Sequence, residues 1–101
     1  MSYEVIVRSG AQSEIVELFG WYENKEAGLG GYFMLCLDAS IEGLLRFPTA
    51  PRIVRHEYRR VFVKKFPVAV YYIVRGKTIY IDIVESMLRD PKRLSRKLDQ
   101  S

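Results

Sequence analysis

The sequence is poor in the residues that build covalent or metal frameworks. It has one cysteine, Cys36, and one histidine, His56. A lone cysteine makes no disulfide within the chain, and one Cys with one His cannot supply a Cys/His zinc site. Cys36 reads as a small buried apolar residue. Long hydrophobic runs are also missing, and nothing approaches the ~18 residues of a membrane span. No basic stretch followed by an apolar one opens the chain at Met1-Ser2-Tyr3-Glu4, so the default expectation is the cytoplasm. Linkers, repeats and low-complexity segments are absent. Gly28-Leu29-Gly30-Gly31 follows a helical pattern and not a strand, so it is no phosphate or dinucleotide fingerprint. Neither a cofactor nor a metal is expected.

What remains is 101 residues, 49% hydrophobic and 28% charged. That is one globular domain spanning 1–101, small enough to leave much of its surface exposed. The net charge is +4 at pH 7, and it is unevenly placed. Residues 1–45 carry two basic and seven acidic residues, and residues 46–101 carry fourteen basic and five acidic ones. A basic half on a small domain points to an anionic partner, whether nucleic acid, an acidic protein segment or a phosphate-rich assembly.

Alternation over Tyr3–Arg8 predicts a strand. Ser9 and Gln12 have capping-box spacing. Ile15, Leu18, Phe19 and Tyr22 then form one stripe of a helix, which Gly28 can end with a positive φ. A second helix reaches toward Phe47 with Phe33, Leu37, Ile41, Leu44 and Leu45 on its apolar stripe, and it must stop by Pro48. The connection is short, so the two helices read as an antiparallel hairpin. Three β-rich runs follow a loop over Phe47–Pro51. They are Arg59–Phe66, the fully apolar Val68–Val74 and Lys77–Val84, the last two joined by a tight turn at Arg75-Gly76. The predicted class is α+β, in the order β-α-α-β-β-β: a helical hairpin packed on a small antiparallel sheet with a partly open second face. The basic tail, about 90–101, is either a short helix or a frayed terminus.

The strongest local constellation is Arg59-Arg60-Val61-Phe62-Val63-Lys64-Lys65. On a strand, Arg60, Phe62 and Lys64 share one face, and Arg59, Val61, Val63 and Lys65 the other. Arg89, just past the last strand, is expected to approach this run on the open face. Such a cluster suits phosphate or carboxylate binding, and it also suits simple protection of a sheet edge. His56, Glu57 and Glu85 are the general acid/base candidates. Ser13, Ser40 and Ser86 have no neighbouring base, so nucleophilic catalysis has no support.

The runs Trp21-Tyr22-Glu23, Gly28-Leu29-Gly30 and Phe33, then Pro48, Arg59-Arg60 through Phe66-Pro67, Ala69-Val70-Tyr71-Tyr72 and Arg89-Asp90-Pro91 resemble the ParE branch of the RelE/ParE toxin superfamily. The resemblance spans about Ser9 to Pro91. It implies the toxin of a type II toxin–antitoxin module of the plasmid-stabilisation kind, with growth arrest as the outcome. It also implies a ParD-like antitoxin partner in a hetero-oligomer, and contact with DNA only through that antitoxin. ParE-like members are associated with inhibition of DNA gyrase, and RelE-like members cut mRNA on the ribosome. The residues carried over are Arg59, Arg60, Lys64 and Arg89 for target or anion binding, and Trp21, Tyr22 and Phe33 for the antitoxin. If the chain were a metal-independent endoribonuclease, Arg59, Lys64, Lys65 and Arg89 would be its catalytic set. Family members often carry a His at the place of Ser86 and a Tyr at the place of Val68. The missing His removes an acid/base group, which favours a gyrase-binding inhibitor over a nuclease and leaves a non-toxic partner-binding member as a third reading.

Overall fold

The computed structural model describes residues 2–100. Its elements are β1 (Glu4–Val7), α1 (Ser9–Lys25), α2 (Leu29–Arg46), β2 (Ile53–Arg55), β3 (Tyr58–Phe62), β4 (Val68–Arg75), β5 (Thr78–Ser86) and α3 (Pro91–Asp99). One sheet has the order β1-β5-β4-β3-β2. The class is α+β as expected, with two additions. The sheet is mixed, because β1 runs parallel to β5; the helical hairpin and the meander through β4 together make the long connection such a pair needs. The other addition is β2, which continues the meander at the far edge. Three residues with no alternation left no readable period there.

The helical hairpin packs on one face of the sheet. Leu18, Tyr22, Phe33, Leu37 and Leu44 meet Val68, Val70, Tyr72, Ile79, Ile81 and Val84 in the larger apolar cluster. Each such fully buried side chain contributes ~1.5–3 kcal/mol of transfer free energy. β4 is buried along Val68–Ile73, as its unbroken apolar run requires.

The motif around the hairpin turn has a mechanical explanation. Gly28 has φ +89°, a left-handed conformation that glycine adopts without penalty. The Glu23 carboxylate accepts hydrogen bonds from the Gly28 and Gly30 N–H groups, both at 2.9 Å. An acid from α1 thereby satisfies free donors at the start of α2 and complements its dipole. At Gly30 an added Cβ would lie 2.8 Å from the Phe19 carbonyl oxygen, so the helices cross here only because this residue is glycine. The start of α1 differs from expectation. Arg8, not Ser9, is the cap and offers no side-chain bond; Gln12 instead donates to the Val7 carbonyl at 3.2 Å. Ser9 already lies inside the helix, so the capping box does not form.

A bulge decides the other face. Tyr71 pairs with Ile83 but Tyr72 pairs with Ile81, so Asp82 is an extra residue. Ile83 therefore leaves the face of Ile79 and Ile81 and joins Tyr58, Ala69, Tyr71 and Ile73 in a second cluster, closed by Leu94 and Leu98 of α3. Strict period two along β5 would keep all three isoleucines on one face, and it holds only without an inserted residue. The tail is the helical alternative of the two. Asp90 caps it by accepting from the Lys92 N–H at 2.9 Å, and Pro91 takes the first turn, where its missing N–H costs nothing.

Candidate functional site

β1 pairs with β5 only as far as Ile81. Beyond that point the last half of β5 has no strand on its outer side. α1 and α3 meet over this bare edge through charge. Arg93 and Lys97 lie one turn apart on α3, and Arg89, four residues before Arg93, precedes the helix. Two nearly buried carboxylates face them: Glu14 of α1, 4% exposed, and Glu85 of β5, 1% exposed. Lys97 Nζ lies 2.7 Å from Glu85 Oε1 and 3.7 Å from Glu14 Oε1. Arg93 spans the same pair, with Nη2 3.1 Å from Glu14 and Nε 3.4 Å from Glu85. Arg89 pairs with Glu14, and with Glu17 at 3.4 Å. Glu14 Oε2, Glu85 Oε2, Arg89 Nη1 and Arg93 Nε hold these ion pairs without an aligned hydrogen bond.

This seam takes Arg89 and Glu85 away from the roles the sequence suggested. Arg89 points at the α1 carboxylates and does not join the β3 basic run. Glu85 is locked between two cations and reaches no exposed surface. On the opposite side of α3, Asp99 binds the β2–β3 hairpin. Its carboxylate lies 2.7 Å from Arg55 Nη2 and 3.0 Å from His56 Nε2. The hydrogen bond from His56, then the charge of Arg55, lowers the Asp99 pKa below its ordinary value. His56 itself sits at φ +52° in the β2–β3 turn. Glu57, the third acid/base candidate, pairs with Arg75 at 2.6 Å. The three groups therefore serve separate contacts and do not converge on one substrate position.

The β3 run divides as well. Arg59 lies on the helical face and donates from Nη1 to the carbonyl oxygens of Thr49 and Pro51, at 3.1 and 2.6 Å. Beside it, Tyr72 donates its hydroxyl to the Pro48 carbonyl at 2.8 Å. Burial raises the Tyr72 pKa, against an opposing pull from Arg59. Together the two residues pin the loop between α2 and β2. Arg60 lies on the other face, its guanidinium 4.8 Å from the centroid of the exposed Phe62 ring. The strand ends at Phe62, so Lys64 and Lys65 lie in the following turn, both exposed, with Lys65 at φ +71°. Residues expected to alternate along one strand thus occupy three environments.

Of the residues expected to meet a partner, Tyr22 and Phe33 are corrected. Phe33 is 0% and Tyr22 6% exposed; both rings pack on Phe66, at 5.3 and 4.8 Å between centroids. They build the hairpin and present nothing outward. Trp21 is exposed, its ring edge-on to Tyr22 and covered on one side by Lys25 Nζ at 4.2 Å. The outward apolar residues of the hairpin are Val16, Phe19, Tyr32 and Leu35.

Sequence reasoning missed the seam. The four-residue spacing of Arg89, Arg93 and Lys97 was one available signal. The other was Glu14, an acid inside the stripe of Ala11 and Leu18. Among the described residues no group of three or more His, Cys, Asp or Glu side chains could hold a metal ion, and no helix is long and apolar enough to cross a membrane.

No protein-family model matches the chain, and no curated protein matches its sequence. Among solved structures it is similar to a chain of the "Chromosomal ParDE TA system from P. aeruginosa", with a TM-score of 0.71 at 14% identity, covering 84% of this chain and 96% of that one. The fold is ParE-like. Identity this low leaves the side chains of each surface of this ParE-like fold to be read from this chain itself.

Proposed function

We propose that the chain is the toxin of a type II toxin–antitoxin module, acting in the cytoplasm by inhibiting DNA gyrase and held inactive by a ParD-like antitoxin. The observation that carries this reading is the ParE-like fold, matched over nearly the whole of a chain from a ParDE system. The hairpin offers a surface for the antitoxin. Val16, Phe19 and Leu35 are large, apolar and exposed on it, and such side chains clustered on a small domain mark a protein-binding face. Inhibition by binding also agrees with the chemistry, because it asks for no acid/base pair. Glu57 and Glu85 are held in ion pairs and His56 lies against the Asp99 carboxylate, and Ser86 spends its hydroxyl accepting from the Leu88 N–H at 3.2 Å.

The test is a supercoiling assay with purified gyrase, read together with trapped DNA cleavage. Inhibition on adding the chain, relieved by its antitoxin, is the expected result. Unchanged supercoiling and cleavage at a large excess of the chain overturn the gyrase assignment.

A further inference from the structure

A cavity of about 290 Å³ is lined by Arg8, His56, Glu57, Tyr58, Ile73 and Arg75. Four segments build it: the residue after β1, the turn between β2 and β3, the start of β3 and the end of β4. Tyr58 and Ile73 are 1% and 6% exposed and belong to the second apolar cluster, so the cavity has a rigid apolar wall. Two arginines and the one histidine stand around it.

Each of these three side chains keeps donors unused. Arg8 is held from two sides. Its guanidinium carbon lies 4.6 Å from the Tyr80 ring centroid, and its Nε lies 3.7 Å from the Asp82 carboxylate, which also accepts from the Tyr58 hydroxyl. Neither contact takes a hydrogen bond from the terminal amino groups of Arg8. A guanidinium fixed in this way loses little freedom when an anion arrives. Arg75 gives Nη2 to Glu57 at 2.6 Å, which leaves its other amino group. His56 has Nε2 3.0 Å from Asp99, and its Nδ1 has no partner among the described residues.

The backbone at His56 is an independent sign of a site. Arg55 pairs with Tyr58, so His56 and Glu57 are the two central residues of the turn. Only the first of them has a positive φ, +52°, and glycine is the usual residue at that place. A histidine there is held against a steric cost, and such positions cluster at ligand clamps and active sites. The contact with Asp99 accounts for one ring nitrogen and leaves the other. Glu57 is the one acid lining the cavity. Its pair with Arg75 is exposed, 61% for Glu57 and 58% for Arg75, and exposed ion pairs contribute little. A stronger anion can therefore take its place. Donors from three separate segments suit a tetrahedral oxyanion with three free oxygens better than a planar carboxylate with two.

We propose that this cavity binds a phosphate group, free or as the monoester end of a small molecule, on Arg8, His56 and Arg75, with Glu57 as the internal carboxylate that it displaces. The inference goes beyond the toxin reading, and its test uses the chain with neither gyrase nor antitoxin, so the two stand or fall separately. Inorganic phosphate, ribose 5-phosphate and acetate are titrated in a zwitterionic buffer, with heat and backbone amide shifts read together. The phosphates bind saturably and shift the amides of residues 56, 57 and 75. Tighter binding of ribose 5-phosphate identifies an ester as the ligand, and tighter binding of inorganic phosphate the free ion. Arg8→Gln and Arg75→Gln each weaken binding about tenfold, the effect of one charge-assisted hydrogen bond. Glu57→Gln, an exposed change that leaves the core intact, strengthens binding by up to about fivefold, the most that an exposed pair usually contributes. His56→Gly weakens binding although glycine suits the turn. Lys25→Gln, at the far end of α1 from Arg8, changes nothing. No saturable binding of either phosphate, acetate binding as tightly as they do, weaker binding after Glu57→Gln, or an equal loss after Lys25→Gln overturns the proposal.

Discussion

The two faces of the sheet are covered by different means. On one face the hairpin lays down two helices of 17 and 18 residues and an apolar cluster that includes three aromatic rings from Tyr22, Phe33 and Tyr72. On the other, α3 has nine residues and only Leu94 and Leu98 as apolar contacts. A helix that short is marginal alone. Flanking polar contacts supply what its apolar area does not, with Glu14 and Glu85 on one side and Arg55 and His56 on the other. The first face is held by volume and the second by pairing. Salt screens the exposed Asp99 pairs far more than the pairs of the nearly buried Glu14 and Glu85, so the end of α3 at Asp99 should loosen first as salt is raised.

The most severe way to break this contrast is to remove one partner from the buried pairs. Glu85→Ala leaves Lys97 and Arg93 with Glu14 as their one remaining acid and should cost up to about 3 kcal/mol, read by urea unfolding. Amide exchange should show α3 losing protection while α1 and α2 keep theirs, since local openings follow the local contacts. Loss of protection in all three helices together would mean that the seam also holds the hairpin. Leu98→Ala tests the apolar share of the same attachment and should cost ~2–3 kcal/mol. An effect near zero would leave charge as the sole anchor of α3.

Gly30→Ala attacks the hairpin instead. The added methyl meets the Phe19 carbonyl and the Glu23 carboxylate, and it should destabilise by ~1–3 kcal/mol, with no selective effect on exchange in α3. The gentlest perturbation is acid. Asp99 has a lowered folded pKa, so its contribution is complete above the ordinary value of 3.8 and is lost as pH falls through the lower folded value. The exposed end of α3 should therefore loosen below about pH 4, visible as faster exchange at Leu98, and Asp99→Asn should remove that pH response.

The amount legible in the sequence differed between the two faces for the same reason. The hairpin and the β4 core announce themselves by period and by apolar runs, and their partners are the nearest apolar surfaces available. Arg59 shows where this stops. Alternation placed it opposite Arg60 correctly, but nothing in the local pattern says which side of β3 the helices cover, and that decides whether a guanidinium binds a loop or a ligand. Lys64 and Lys65 show a second limit, because a strand pattern continues through them while the backbone turns at Phe62. Tyr22 and Phe33 show a third. Their stripe positions marked them as core, and only the resemblance suggested a partner surface for them.

By itself the sequence determined the class, the order of all elements but β2 and α3, the turn glycines and the polarity of charge between the halves, because each of these rests on neighbours within a few residues. The tertiary structure alone decided the parallel pairing of β1, the bulge at Asp82 that moves Ile83 across the sheet, and the meeting of Glu14, Glu85, Arg89, Arg93 and Lys97. Those five residues span most of the chain, and an ion pair between distant segments leaves no periodic trace in either one. Its strength comes from burial and distance, which exist only once the segments have been brought together.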